Sequence, residues 1–181
     1  MAENETVIDS KDAKSAAFAL KIGWENCMNA NDNTRRCQSA MRKAAMEIIL
    51  KTGYVDDSVY DSLEKSYINN MISEEPDFEE INKTIDALAA INTKKSVELL
   101  FVFLQGLHQK KHSGMWGEKE EIIFPWVVNS FGFTKINSRN LWNLLVVIFR
   151  TDLYTNDERL HARNTLIKIK EALSQQPSEN S

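Results

Sequence analysis

The stretch ALAAINTKKSVELLFVFL, Ala87 to Leu104, decides the fold: two apolar runs flank a polar corner. In the first run Leu88 and Ala89 continue the steps set by Ile81 and Ile85, the spacing of one helix face. The second run, from Val97 to Leu107, is apolar on most sides, which predicts a helix covered on two of them. The four residues Asn92–Lys95 are a corner. The stretch therefore reads as a helical hairpin.

The rest of the chain agrees with a helical reading. Six Gly and three Pro among 181 residues are few for a sheet-rich or parallel α/β domain, which needs turn residues. With 43% hydrophobic residues the chain can bury a core. The periodicity predicts eight helices, over about 12–28, 33–52, 57–72, 77–91, 95–109, 118–131, 138–151 and 156–173. In the second, Met41, Ala44, Ala45, Ile48 and Ile49 make the apolar stripe, and Gly53 is a stop signal. Pro125 lies inside the sixth and predicts a kink or a split. Residues 1–11 and 174–181 are polar and without pattern, and read as frayed tails around a single domain over 12–173.

Helix–corner–helix units begin at Met41, Ile81 and Glu121, offset by 40 residues each time, and Ala162 opens half of a fourth. The pair Ser58–Val59 recurs as Ser96–Val97 at the start of each second helix. A two-helix period near 40 resembles HEAT and armadillo repeats. The resemblance covers roughly residues 41–173 and is degenerate: no unit carries both the Asp and the Arg that often mark such corners. It implies an all-α fold, a short right-handed α-solenoid of three to four HEAT-like hairpins. The alternative is an irregular helical bundle.

The net charge of −4 argues against a general nucleic-acid binder, which needs surplus Lys and Arg. Residues 1–92 carry −7 and residues 93–181 carry +3. No run approaches the roughly 18 apolar residues of a membrane span. The polar start carries no signal peptide, which suggests a cytoplasmic chain. A Cys27–Cys37 disulfide across the Asn29–Thr34 corner would instead suggest a periplasmic or secreted one, if Met1 is not the natural start. The alternative for the two cysteines is a pair of buried free thiols.

Catalytic signatures are sparse. His108 and His112 stand four apart, the spacing of two metal ligands on one helix face, with Glu118, Glu120 and Glu121 nearby. Gln109 stands where a metalloprotease helix needs Glu, and two solvated histidines at a helix end are the plainer reading. Asp56–Asp57 and Glu74–Glu75 read as helix caps. Trp116, between Gly114 and Gly117, reads either as an anchor for a partner or as a plug folded over the fifth helix.

The expected function is a non-enzymatic module that binds a protein or peptide, with no cofactor, metal, nucleic acid or membrane. The second helices of the units would present Tyr60, Glu64, Lys94, Glu98, Arg139 and Asn143, with Trp116 at the rim. One alternative is an enzyme or small-ligand binder with a site near His108, His112 and Trp116. Another is a structural subunit that closes its apolar helices in an oligomer.

Overall fold

The computed structural model describes residues 10–25, 32–136 and 138–175. They form helices and their connections, with no strand among the described residues. The helices are α1 (Ser10–Glu25), α2 (Asp32–Thr52), α3 (Asp57–Ile72), α4 (Phe78–Ile91), α5 (Lys94–His112), α6 (Glu118–Ser130), α7 (Arg139–Arg150) and α8 (Asn156–Ser174). A 3-10 turn, Phe131–Phe133, follows α6. The fold is all-α. Contacts divide the chain into two compact units, Met1–Ile91 and Asn92–Ser181.

In the first unit α2 packs on α1 and α4, and α3 packs on α1 and α4. Ala13, Ala16, Ala17 and Leu20 bury one face of α1. Small alanines there let α2 approach closely. Leu20, Met46, Ile49, Leu63, Ile81, Ile85 and Leu88 are fully buried. The corner after α2 follows from two residues. Gly53, at φ 63°, takes the left-handed turn and donates to the Ile49 carbonyl. Asp56 then caps α3, accepting from the Val59 N–H at 3.1 Å and the Ser58 hydroxyl at 2.6 Å. The Ser58 bond foremost holds the Asp56 carboxyl below its ordinary range.

The buried face of α2 differs from the predicted stripe. Arg42, Ala45, Met46 and Ile49 point inward, while Met41 and Ala44 are exposed and Ile48 is half-buried. The reason is Glu80. Arg42 Nε and Nη2 donate to its two carboxylate oxygens at 2.8 and 3.0 Å, and both side chains are nearly sealed from solvent. Around them, Ser66 donates to Glu80 at 2.8 Å and Thr84 donates to Ser66 at 3.0 Å. The Ser39 hydroxyl lies 2.7 Å from Asp77 and 2.9 Å from Glu80. Burial would raise the Asp77 carboxyl, but the Glu80 N–H, Ser39 and Lys43 together hold it below the usual range.

In the second unit α5 packs on α6, and α8 packs on α6, α7 and the 3-10 turn. Ile123, Phe124, Val127, Val128, Phe131, Leu145, Ile148 and Ala162 are fully buried. The Thr165 hydroxyl ties α8 to the Val128 carbonyl at 3.1 Å. Pro125 does not split its helix: α6 runs unbroken through it. The side chains of Leu141, Leu145 and Ile148, at three- and four-residue steps, bury one face of α7.

One device appears in both units. Glu80, Glu120 and Glu158 each stand three residues after the residue that caps α4, α6 and α8, and each is buried. Each reaches a cation on an earlier helix: Arg42 on α2, Lys110 on α5 and Lys111 on α5.

Removing one partner of a buried ion pair leaves the other charge uncompensated. Glu80→Ala is therefore expected to lower stability by about 3–5 kcal/mol in urea unfolding, whereas Arg42→Met combined with Glu80→Leu restores much of the loss. A single-variant loss below about 1 kcal/mol would show that the pair is solvated rather than sealed.

Candidate functional site: an amide-lined cleft beside an aromatic cluster

The site lies within the second unit, at the carboxyl end of α5. There the chain ends its helix by hydrogen-bond geometry. Gly114, at φ 73°, turns left-handed; its N–H donates to the Lys111 carbonyl at 3.3 Å and the Met115 N–H to the Lys110 carbonyl at 2.9 Å. This paired closure fixes where Trp116 goes. The Glu120 carboxylate then accepts from the Gly117 N–H at 3.1 Å to start α6, and its other oxygen pairs with Lys110. Burial would raise the Glu120 carboxyl, but Lys110 and the backbone N–H groups hold it below its ordinary range.

Trp116 is half-buried and folded inward. Its ring meets Phe124 edge-on at 5.6 Å and Tyr154 at 6.5 Å, with Lys111 Nζ 4.2 Å above it. These neighbours lie on α6, in the loop before α8 and on the last turn of α5. Lys111 donates to both oxygens of Glu158, at 3.0 and 3.1 Å, with both side chains only 11% exposed. Glu158 also accepts from the Thr155 N–H at 2.8 Å, so one carboxylate starts α8 and anchors α5. Tyr154, in the loop before α8, is buried and stacks on Phe124 at 5.4 Å.

The Tyr154 hydroxyl lies 2.6 Å from His108 Nδ1. Burial first, and the Glu158 carboxylate second, push the Tyr154 hydroxyl well above its ordinary range. Burial, with His112 beside it, pushes the His108 imidazole down. A tyrosine that keeps its proton and an imidazole that stays neutral suit a bond in which Tyr154 donates to Nδ1. Nε2 then carries the N–H. The His112 ring stands edge-on to His108 at 4.4 Å. Among the described residues no group of three or more His, Cys, Asp and Glu side chains converges for a metal ion.

His108 also lines an open cleft of about 320 Å³ between α5 and α7. Phe101 and Leu144 supply its apolar floor, and Gln105, Gln109, Asn140 and Asn143 supply its rims. Among the described residues these four carboxamides are engaged by no other group of the chain. Some other amides are occupied: Asn70 accepts from the Asp77 N–H, Asn92 from the Lys135 N–H, and Asn129 meets His161.

The sequence-predicted contacts scatter. Asn143 and His108 share the cleft. Arg139 is exposed at the start of α7, and Lys94 and Glu98 are exposed and 4.0 Å apart on the first turns of α5. Glu64 is half-buried on α3. Tyr60 is a correction: only 7% exposed, it belongs to a core rather than to an outward face, because Val59, Tyr60 and Leu63 all fall on the buried side of α3. Cys27 and the Cys37 side chain lie outside the described residues, as do residues 1–9 and 176–181 of the two predicted tails. Tyr154 and the Lys111–Glu158 pair were not anticipated. The signal for Glu158 was present in Thr155-Asn-Asp-Glu158, a capping-box spacing; Tyr154 sits in a loop and carried none.

Lys111→Met is expected to cost about 3 kcal/mol in urea unfolding because it strands Glu158, and Lys110→Met a comparable amount because it strands Glu120, whose side chain is only 9% exposed. Losses below about 1 kcal/mol in both variants would show that neither pair is sealed. The pH dependence has a definite sign. His108 binds its proton less readily folded than unfolded, so its contribution is complete above about pH 6.5 and is lost as acid carries the solution down through the folded value. The melting temperature of the intact chain should therefore fall more between pH 7.5 and 5 than that of His108→Asn; parallel curves would exclude this role.

No helix of the described residues is long and apolar enough to cross a membrane. No protein-family model, curated protein or solved structure matches the chain.

Proposed function

We propose that the chain is a non-enzymatic interaction module that binds an extended segment of a protein partner in the α5–α7 cleft. The observation that carries this reading is the set of four unengaged carboxamides flanking Phe101 and Leu144. A carboxamide offers a donor and an acceptor at the spacing of a peptide group, so it pairs with backbone N–H and C=O whatever the side chain. The apolar floor would take alternate side chains of the segment, and His108 Nε2 adds a donor at one end. The net charge of −4 favours a protein partner over a nucleic acid.

The same reading takes the hairpins as HEAT-like repeats stacked in a short α-solenoid. Two regularities support it. The helices α2, α4 and α6 end at Thr52, Ile91 and Ser130, 39 residues apart each time. The buried glutamates recur at 80, 120 and 158, near the same period.

A second reading, a small-ligand or enzymatic site near His108, His112 and Trp116, draws support from the neutral imidazole bonded to Tyr154 at the cleft wall.

Site-specific cross-linking separates the two. With p-benzoylphenylalanine in place of Asn143 in the intact chain, irradiation in the native cells is expected to yield a discrete protein adduct. Gln105→Arg with Asn140→Arg should reduce that adduct at least tenfold. An adduct indifferent to both substitutions would sink the cleft assignment. A small molecule retained by the purified chain and lost in His108→Ala would favour the second reading.

A further inference from the structure

We propose that α8 and the 3-10 turn form a second docking surface, independent of the α5–α7 cleft, for an acidic protein segment carrying apolar anchors. Leu160, Arg163, Ile167 and Lys170 fall at three- and four-residue steps, so they form one stripe along α8. Leu160 and Ile167 are 48% and 44% exposed, and Phe133 on the neighbouring turn is 68% exposed. Beside the stripe, Asn129, Phe133, His161, Asn164, Ile167 and Lys168 line an open groove of about 580 Å³.

The cations of this surface are unspent. Among the described residues Arg163, Lys168 and Lys170 pair with no carboxylate, while Arg159 on the same helix is held by Asp152. Lys168 lies along the 3-10 turn. Its stem lies over Gly132, where an added Cβ would come within 2.8 Å of Cδ, and its ammonium sits 5.1 Å above the Phe133 ring. A cation over an exposed aromatic face, next to two exposed aliphatics and two more cations, is complementary to carboxylates interleaved with apolar side chains. A phosphate backbone would use the cations and leave the apolar stripe in water, so a peptide fits better than a nucleic acid.

The test selects peptides without prejudging their composition. Random twelve-residue peptides displayed on phage are panned on the intact chain, and the enriched ones are synthesised with a fluorophore for polarisation titration. Enriched peptides are expected to be rich in Asp and Glu with one or two aromatic or aliphatic residues. Their affinity should fall at least tenfold in Arg163→Glu/Lys168→Glu/Lys170→Glu and in Phe133→Ser, and should weaken with salt. Asn143→Arg in the α5–α7 cleft should leave it unchanged, so failure here and failure of the cleft reading are told apart. Circular dichroism checks that each variant folds, and Lys168→Met gives a milder second variant with an expected loss of at least threefold. Enrichment of neutral or basic peptides, affinity indifferent to these variants, or no enrichment at all would overturn the proposal. So would tighter binding of a single-stranded oligonucleotide or a phosphatidylserine vesicle that the triple variant abolishes.

Discussion

A buried glutamate at the third position of a helix is the constraint on which both units depend. At that position a carboxylate is welcome, because the free N–H groups and the helix dipole favour negative charge. Sealing it from water is nonetheless expensive unless a cation comes with it. Glu80, Glu120 and Glu158 each meet that need with a cation on an earlier helix, so each joins the start of one helix to the flank of another. Apolar packing alone is tolerant of small slides. A bidentate contact such as that of Arg42 with Glu80 is not, and it sets the rotation of α2 about its own axis.

The same chemistry shapes the candidate site. Lys111 holds Glu158, Glu158 starts α8, and the loop just before α8 delivers Tyr154 to His108. His108 is thereby fixed in the wall of a cleft whose other polar groups are carboxamides. Such groups do not titrate and do not attack; they donate and accept. Their setting favours recognition of another backbone, and the histidine gives one end of that recognition a polarity.

Helices were legible because their signals are local. The predicted span of α3 coincides with the observed one, and the others agree within a few residues at the described ends, since caps such as Thr93 with Ser96 and Thr155 with Glu158 are written within four residues of sequence. What was hidden depended on distant pairs. A pattern of apolar residues placed Met41 on the buried side of α2 and ignored Arg42, because the residue that makes Arg42 buriable lies 38 positions away. Tyr60 looked like an outward polar residue, yet an aromatic ring with one hydroxyl buries readily once Leu63 and Val59 set the face. The cleft assembles Gln105 and Asn143 from two helices, and neither amide differs in sequence from the amides at corners. Asn143 was reached by its place on a helix face, whereas Gln105 had no feature to single it out.

Lys110 and Lys111 are neighbours in sequence but face directions about 100° apart, and they hold different helices, α6 and α8. The last turn of α5 is in effect a two-toothed key. Inserting or deleting one residue within α5 would turn both teeth away together, whereas the corners before α5 and after α6 can change length without touching either. The corners are therefore where this structure can absorb a change of length, and the last turns of α5 are where it cannot.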